Sequence, residues 1–166
     1  QARQRLPVAF FAKLNRLALG RCRADADADR AGLWHGHRLY SLDGSSFSMP
    51  DTAELQQQFG QAPGQAPGCG FPTAHLLVQF DLHSGYLLRA LASPCRTHDL
   101  AGAALMHQDL RPGDVLLGDR AFCSYAHLAL CRGRGLHGVF RAHQRLLISF
   151  RPHRRHAGPG KVRPED

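Results

Sequence analysis

Two short stretches decide the fold: Ser41-Leu42-Asp43-Gly44-Ser45 and Val115-Leu116-Leu117-Gly118-Asp119-Arg120. Each stretch runs from apolar or β-prone residues straight into an aspartate. In the second, three consecutive apolar residues predict a short buried strand, with Asp119 just past its end. In the first, apolar and polar residues alternate up to Asp43, which also predicts a strand.

The two aspartates meet at one point if their strands lie side by side in one sheet. Two carboxylates in one place repel each other unless a cation or a proton joins them. Carboxylate oxygens suit Mg²⁺ or Mn²⁺, which phosphoryl-transfer enzymes hold with a few carboxylates and the substrate phosphate. The alternative is that Asp43 and Asp119 are ordinary turn residues, because Asp-Gly and Gly-Asp are common in turns. These residues alone leave both interpretations open.

Length and composition fit one domain. The chain has 166 residues, of which 43% are hydrophobic, and this is enough for a buried core. No apolar run is long enough to span a membrane. Residues 8–19 are interrupted by Lys13 and Arg16, so they predict an amphipathic helix and not a signal peptide. The five cysteines include no CxxC pair, which favours a reducing, cytoplasmic setting.

The positive charge lies at the two ends of the chain. Residues 1–23 carry six Lys or Arg and residues 141–163 carry seven, with no acidic residue in either segment. Residues 24–140 hold eight basic and eleven acidic residues, so the ends produce the whole net charge of +8. Basic ends on a near-neutral body favour a polyanionic partner, with nucleic acid the first candidate. The alternative is that they are solvated tails that keep the chain soluble.

The pattern along the chain predicts a mixed sheet with helices packed on it. The helix over residues 8–19 is expected to end at Gly20, and the acidic alternation at residues 25–29 to form a solvated loop. Asp51 is the expected N-cap of a short helix. The other predicted elements are a strand at 37–49, a helix at 52–59, a loop at 60–72, a hairpin at 73–92, a helix from Thr97 or Asp99 to about Leu110, a helix at 125–132 and a strand at 137–141. Antiparallel strands come first and β-α-β units follow, which is typical of a mixed sheet.

A third pattern suits a softer metal. Cys123, His127 and Cys131 are spaced i, i+4, i+8, which places them on one face of a predicted helix. Cysteine and histidine at that spacing could bind zinc. The other interpretation, which the residues favour, is a helix whose cysteines face the core and pack there as small apolar side chains.

Several motifs, in the right order, resemble the DDE transposases of bacterial insertion sequences. The resemblance extends over residues 35–158, most of the chain. The motifs are Asp43-Gly44-Ser45-Ser46-Phe47-Ser48-Met49-Pro50-Asp51-Thr52, Pro67-Gly68-Cys69-Gly70-Phe71-Pro72, Leu110-Arg111-Pro112-Gly113-Asp114-Val115-Leu116-Leu117-Gly118-Asp119-Arg120-Ala121-Phe122-Cys123-Ser124-Tyr125 and Val139-Phe140-Arg141-Ala142-His143. The resemblance implies an α/β fold with a ribonuclease-H-like mixed sheet flanked by helices, incomplete at its C-terminus.

The resemblance also divides the chain into three parts. Residues 1–34 would be an N-terminal basic helical arm, residues 35–143 a partial catalytic core, and residues 144–166 a basic tail that begins an insertion. The implied partner is DNA, namely the inverted-repeat ends of a mobile element, on which the protein could act as a homodimer. The implied location is the bacterial cytoplasm, associated with the nucleoid and not with a membrane.

The chemistry of the resembled family is metal-dependent cutting and joining of DNA. A water, and then a DNA 3′-hydroxyl, attacks phosphorus in line, while two Mg²⁺ (or Mn²⁺) ions held by three carboxylates assist the attacking and leaving oxygens. By resemblance, Asp43 is the first of these catalytic metal ligands. Asp119 is the second and would bridge the two ions. Arg120, Arg141 and Arg145 are candidates for contact with DNA, although the first two could equally form surface salt bridges.

The third carboxylate of the resembled family has no match in this chain. That family carries it as a glutamate on a later helix, in a Tyr-x-x-Arg-x-x-x-Glu-x-x-x-x-x-x-Lys pattern that this sequence does not contain. Glu165 stands in a Pro-Glu-Asp sequence without a helical pattern around it. Because two of three ligands would hold Mg²⁺ poorly, we expect a transposase fragment that does not transpose DNA alone. The alternative is a non-catalytic basic domain that binds nucleic acid, or a decayed transposase remnant.

Overall fold

The computed structural model describes residues 5–28, 32–62, 64, 66, 68–95, 97 and 99–142. These residues form four α-helices, five strands and two single-turn 3₁₀ segments, His107–Asp109 and Arg120–Phe122. In chain order the helices and strands are α1 (Val8–Ala28), β1 (Leu39–Ser48), α2 (Ala53–Phe59), β2 (Thr73–Asp81), β3 (Leu87–Pro94), α3 (Asp99–Met106), β4 (Val115–Gly118), α4 (Tyr125–Gly133) and β5 (His137–Phe140).

The five strands form one mixed sheet in the order β3-β2-β1-β4-β5. Strands β1, β2 and β3 pair antiparallel, whereas β4 pairs parallel to both β1 and β5. The parallel half is built from strand-helix-strand crossovers and the antiparallel half from a hairpin, as the order of patterns along the chain predicts. The predicted α/β fold, with a mixed sheet and helices packed on it, is therefore confirmed.

The hairpin between β2 and β3 is closed by one aspartate. Asp81, which ends β2, accepts hydrogen bonds at Oδ1 from the backbone N–H groups of His83 (2.9 Å) and Ser84 (3.1 Å). Gly85 then adopts a φ of 69°, a left-handed conformation that costs glycine little. The hairpin predicted over residues 73–92 is therefore present, with its turn at residues 82–86.

The core lies on one face of the sheet, beneath α3 and α4. Tyr40 and Leu42 on β1 are 3% and 2% exposed, and Leu116 on β4 is fully buried. The complete cluster comprises Tyr40, Leu42, Leu77, Leu88, Ala103, Met106, Leu116, Phe122, Cys131 and Leu136. Since strand side chains alternate between faces, the neighbours of these residues on β1 and β4 point to the other face of the sheet.

Two of the predicted helix ends are wrong. Helix α1 continues through Gly20 to Ala28, so the acidic alternation is helical up to that residue and not a loop. A glycine inside a helix costs only about 1 kcal/mol, which the helix formers around it offset. Helix α2 is capped by Thr52, whose side chain accepts from Leu55 N–H, and not by Asp51. Asp51 instead accepts from the Gln56 side chain at 2.7 Å.

Helix α1 places much of its predicted apolar stripe in solvent. Phe10, Leu14 and Leu17 are 47%, 53% and 63% exposed, whereas Leu19 packs against the core. Among the described helices, none combines the length and the apolar character needed to cross a bilayer.

Two histidines are buried between α3 and α4. His107, in the 3₁₀ turn after α3, and His127, in α4, are each 2% exposed, and their Nε2 atoms lie 2.9 Å apart. Burial lowers the pKa of His107 from 6.5 to about 4, with smaller effects from His127 and Arg134. Burial also lowers the pKa of His127. Both imidazoles are therefore neutral at pH 7.

These histidines predict a loss of stability in acid. The unfolded chain binds a proton near pH 6.5 and folded His107 only near pH 4, so the His107 contribution is complete above pH 6.5 and is lost as the pH falls through this window. The expected loss is about 1.4 kcal/mol per pH unit for one histidine. Urea unfolding in the presence of a chelator measures it. His107→Gln should flatten the profile, whereas the matched exposed variant His137→Gln should not; parallel profiles for all three proteins would contradict the assignment.

Candidate functional site

The two predicted acidic residues lie side by side on neighbouring parallel strands. The register of β1 with β4 runs from Leu39 opposite Val115 to Leu42 opposite Gly118. The next residues are Asp43 on β1 and Asp119, whose backbone is still extended (φ −76°, ψ −174°). Adjacent strands are about 4.8 Å apart, so the structure brings the two carboxylates together, as the sequence predicts.

Both carboxylates point away from the core. Leu42 is buried against the helices, so Asp43, the next residue along the strand, faces the opposite side of the sheet. Gly118 pairs with Leu42, so Asp119, which follows Gly118, faces the same side of the sheet as Asp43. Both aspartates are exposed. They lie where β4 ends while β1 continues with β2 alone, and this fork leaves them open to a ligand from solvent.

Each aspartate is held by a local backbone hydrogen bond. Asp43 Oδ1 accepts from Gly44 N–H at 2.9 Å. Asp119 Oδ1 accepts from Ala121 N–H at 2.8 Å and so caps the 3₁₀ turn that follows β4. Each of these hydrogen bonds uses the Oδ1 atom of its aspartate, and neither uses the Oδ2 atom. The arrangement can present two carboxylate oxygens to one cation.

A glycine immediately before Asp119 lets two aromatic rings hold this strand end. A Cβ atom at Gly118 would lie 3.0 Å from Phe122 Cδ2 and 3.1 Å from Phe140 Cδ1, which is closer than nearly all real Cβ contacts. Phe122 is 1% exposed. The rings therefore close over the backbone at residue 118 and fix the point at which the chain leaves the sheet toward Asp119.

Two of the three predicted DNA-contact arginines lie next to the acidic pair. Arg120 begins the 3₁₀ turn directly after Asp119 and is exposed. Arg141 N–H donates to Gly118 O at 3.2 Å, so the chain continues one residue beyond β5 alongside the end of β4, with Arg141 exposed. Arg145 lies outside the described residues. The two arginines thus add positive charge beside the carboxylates, where a phosphate could bind.

Within the part of the chain that the structure describes, no third His, Cys, Asp or Glu donor completes a metal-binding group with Asp43 and Asp119. The one such group there is His107, His127 and Cys131, which is buried. Of the three residues considered for zinc in the sequence, Cys123 lies before α4, which begins at Tyr125, whereas His127 and Cys131 lie on α4 and face the core, as the favoured interpretation predicts. Sequence reasoning missed His107, since it lies 20 residues from His127 and only the packing of α3 on α4 joins them.

Comparison with known families gives one match over most of the chain. Residues 34–165 match the family described as "Transposase DDE domain". The chain belongs to this family. A curated relative, "Putative transposase InsZ" of Escherichia coli (strain K12), is 30% identical to this DDE domain over 92 residues, 55% of the chain and 31% of the relative. The chain thus spans about a third of the length of that relative.

Two solved structures show weaker similarity to the DDE domain. One is the cryoEM structure of simian T-cell lymphotropic virus intasome in complex with PP2A regulatory subunit B56 gamma, at 16% identity and a TM-score of 0.40, covering 63% of this chain and 31% of that chain. The other is the Mos1 transposase paired-end complex with left transposon end, at 12% identity and a TM-score of 0.41, covering 75% of this chain and 39% of that chain.

The placement of the acidic pair predicts a specific disulfide. The paired variant Asp43→Cys with Asp119→Cys should cross-link under mild oxidation, because neighbouring strand positions have Cα atoms about 5 Å apart, within disulfide range. Peptide mapping by mass spectrometry detects the bond. The control pair, Ser45→Cys with Asp119→Cys, lies on the same face but two residues farther along β1 and should not cross-link. Equal yields from both pairs would contradict the register.

Proposed function

We propose that this domain supplies the first two metal-binding carboxylates of a DNA transposase, which cuts and joins DNA at the ends of an insertion sequence with Mg²⁺ or Mn²⁺. The observation that carries the proposal is the position of Asp43 and Asp119, side by side and exposed at the point where β4 ends beside β1. Membership of the transposase family supports it independently.

The donor set fits a hard divalent cation. Two exposed carboxylates with free oxygens are the ligands that Mg²⁺ and Mn²⁺ prefer. When bound, a pair of such ions activates the attacking oxygen and stabilises the leaving one. Asp43 and Asp119 would hold the ions and orient them toward the DNA. Arg120 and Arg141 would hold the DNA phosphate.

DNA is the proposed partner on the basis of charge. The segments 1–23 and 141–163, which include Arg145, carry thirteen Lys or Arg and no acid, and two arginines lie beside the acidic pair. Neutralising DNA phosphates with such residues releases counterions and makes binding weaken with salt. The proposed substrate is the inverted-repeat end of a mobile element, bound by a homodimer in the bacterial cytoplasm at the nucleoid.

The described residues provide two ligands where the proposed reaction uses three. Mg²⁺ requires near-ideal octahedral geometry, so an incomplete carboxylate set holds it weakly. We therefore propose that the 166-residue chain binds DNA and metal but does not carry out strand transfer by itself. A non-catalytic role in nucleic-acid binding is the second candidate, which the basic ends and the incomplete ligand set both favour.

DNA cleavage by a fusion of this chain to a segment that supplies the third carboxylate tests the proposal. Asp43→Asn and Asp119→Asn should each lower Mg²⁺-dependent cutting of duplexes that carry the element's ends by at least about a hundredfold, because each removes a ligand from the ion that stabilises the transition state. DNA binding at the same salt concentration should be retained. The control Asp51→Asn, an exposed acid bound to Gln56 and outside the pair, should cut normally. Full activity in either of the first two variants would refute the assignment.

A further inference from the structure

We propose that His107, His127 and Cys131 form a second metal site in the core, suited to zinc or a similar borderline transition metal. This site is separate from the acidic pair and does not depend on the function proposed above. Its donors are two imidazole nitrogens and one thiolate sulfur, a set that zinc prefers and Mg²⁺ avoids. The three side chains come from the 3₁₀ turn after α3 and from α4.

The three donor atoms already lie close together. Their ligand atoms are all within 4.8 Å of one another. The Nε2 atoms of the two histidines are 2.9 Å apart, and Cys131 Sγ is 3.8 Å from His107 Nε2. Tetrahedral zinc separates two nitrogen ligands by about 3.4 Å and a nitrogen from a sulfur by about 3.6 Å. The His107–His127 and His107–Cys131 distances are therefore each within about 0.5 Å of those around a tetrahedral zinc ion.

A hydrogen bond from the second ring nitrogen of His127 orients this imidazole as in known metal sites. His127 Nδ1 lies 2.8 Å from the buried carbonyl oxygen of Phe122 and donates its N–H to it. This bond selects the tautomer in which Nε2 carries a lone pair, and it turns that lone pair toward His107 and Cys131. A backbone carbonyl is one of the common partners that orient a ligating histidine in metal sites.

The three donor atoms lie in a buried part of the core. His107, His127 and Cys131 are 2%, 2% and 1% exposed. Because His127 Nδ1 donates to Phe122 O, the 2.9 Å contact between the two Nε2 atoms requires His107 Nε2 to donate when no ion is bound. An ion would replace this hydrogen bond and coordinate all three inward-facing atoms at once.

The protonation states suit metal binding at neutral pH. Burial lowers the pKa of both histidines, so their nitrogens are unprotonated and available. Burial raises the pKa of the Cys131 thiol, against a smaller opposite effect of Arg134, so the ion must displace the thiol proton. Affinity should therefore increase with pH.

A metal here would stabilise the segments on both sides of β4. His107 precedes this strand, and His127 follows the 3₁₀ turn that Asp119 caps. Because His127 also bonds to Phe122 at the end of that turn, the ion would tie the turn to α3 and α4. Three protein ligands leave one position of a tetrahedral ion for water.

Titration of the purified 166-residue chain with Zn²⁺ and Co²⁺ tests the site. We expect one equivalent of Co²⁺ to give the visible ligand-field bands of a tetrahedral thiolate complex, and Zn²⁺ to displace it. Zinc at about a hundredfold above its Kd should raise Tm by on the order of 5 °C or more. Cys131→Ala and His107→Gln should abolish the bands and the shift. The matched control Cys123→Ala should retain both.

If the core variants do not fold, X-ray absorption spectroscopy of the zinc-loaded unmodified chain tests the site instead. One sulfur and two imidazole nitrogens around zinc would support the site. A shell of only oxygen and nitrogen, more than one sulfur, or unchanged binding in folded Cys131→Ala would overturn it. Failure of any of these tests leaves the Mg²⁺-dependent function of Asp43 and Asp119 untouched, because those variants concern another set of ligands.

Discussion

The parallel pairing of β1 with β4 is the constraint on which the site depends. Backbone bonds such as Val115 N–H to Arg38 O, at 2.9 Å, set its register. A slip by one residue would turn Asp43 to the face covered by helices and bring Leu42 out into water. Because the apolar side chains of β1 must face the core, the Asp43 carboxylate must face the opposite side of the sheet. The site therefore results from the adjacent positions of the two aspartates in the sheet, and not from a contact between their side chains.

The exposure of the pair explains how the fold tolerates it. Two like charges about 5 Å apart repel by about 1 kcal/mol in water, but by several times that amount in a buried setting. Asp43 and Asp119 are both exposed and each bonds to a backbone N–H group. The repulsion is then small enough for the domain to fold without an ion, and an ion can still bind and leave reversibly.

The strands and their acids were predictable because the determinants are local. Alternating and continuous apolar runs before Asp43 and Asp119 identify both strands, and turn residues mark their ends. The helix ends were less predictable, since Asp51 and Thr52 are adjacent and both suit an N-cap, and the structure uses Thr52 while Asp51 bonds to the Gln56 side chain. His107 was not predictable as a neighbour of His127, because only tertiary packing joins them. The exposure of Leu14 and Leu17 also depends on how α1 packs, which a helical pattern does not contain.

The measurement that tests the account most directly is a Mn²⁺ titration followed by electron paramagnetic resonance, in a double-mutant cycle of Asp43→Asn and Asp119→Asn. If the two carboxylates share an ion, each single variant should lose about as much affinity as the double variant, because one remaining ligand cannot hold the ion. If the Mn²⁺ affinity losses of the two single variants add up in the double variant, the two aspartates bind ions at independent sites. Unchanged affinity in either single variant would likewise contradict a shared metal site at the point where β4 ends beside β1.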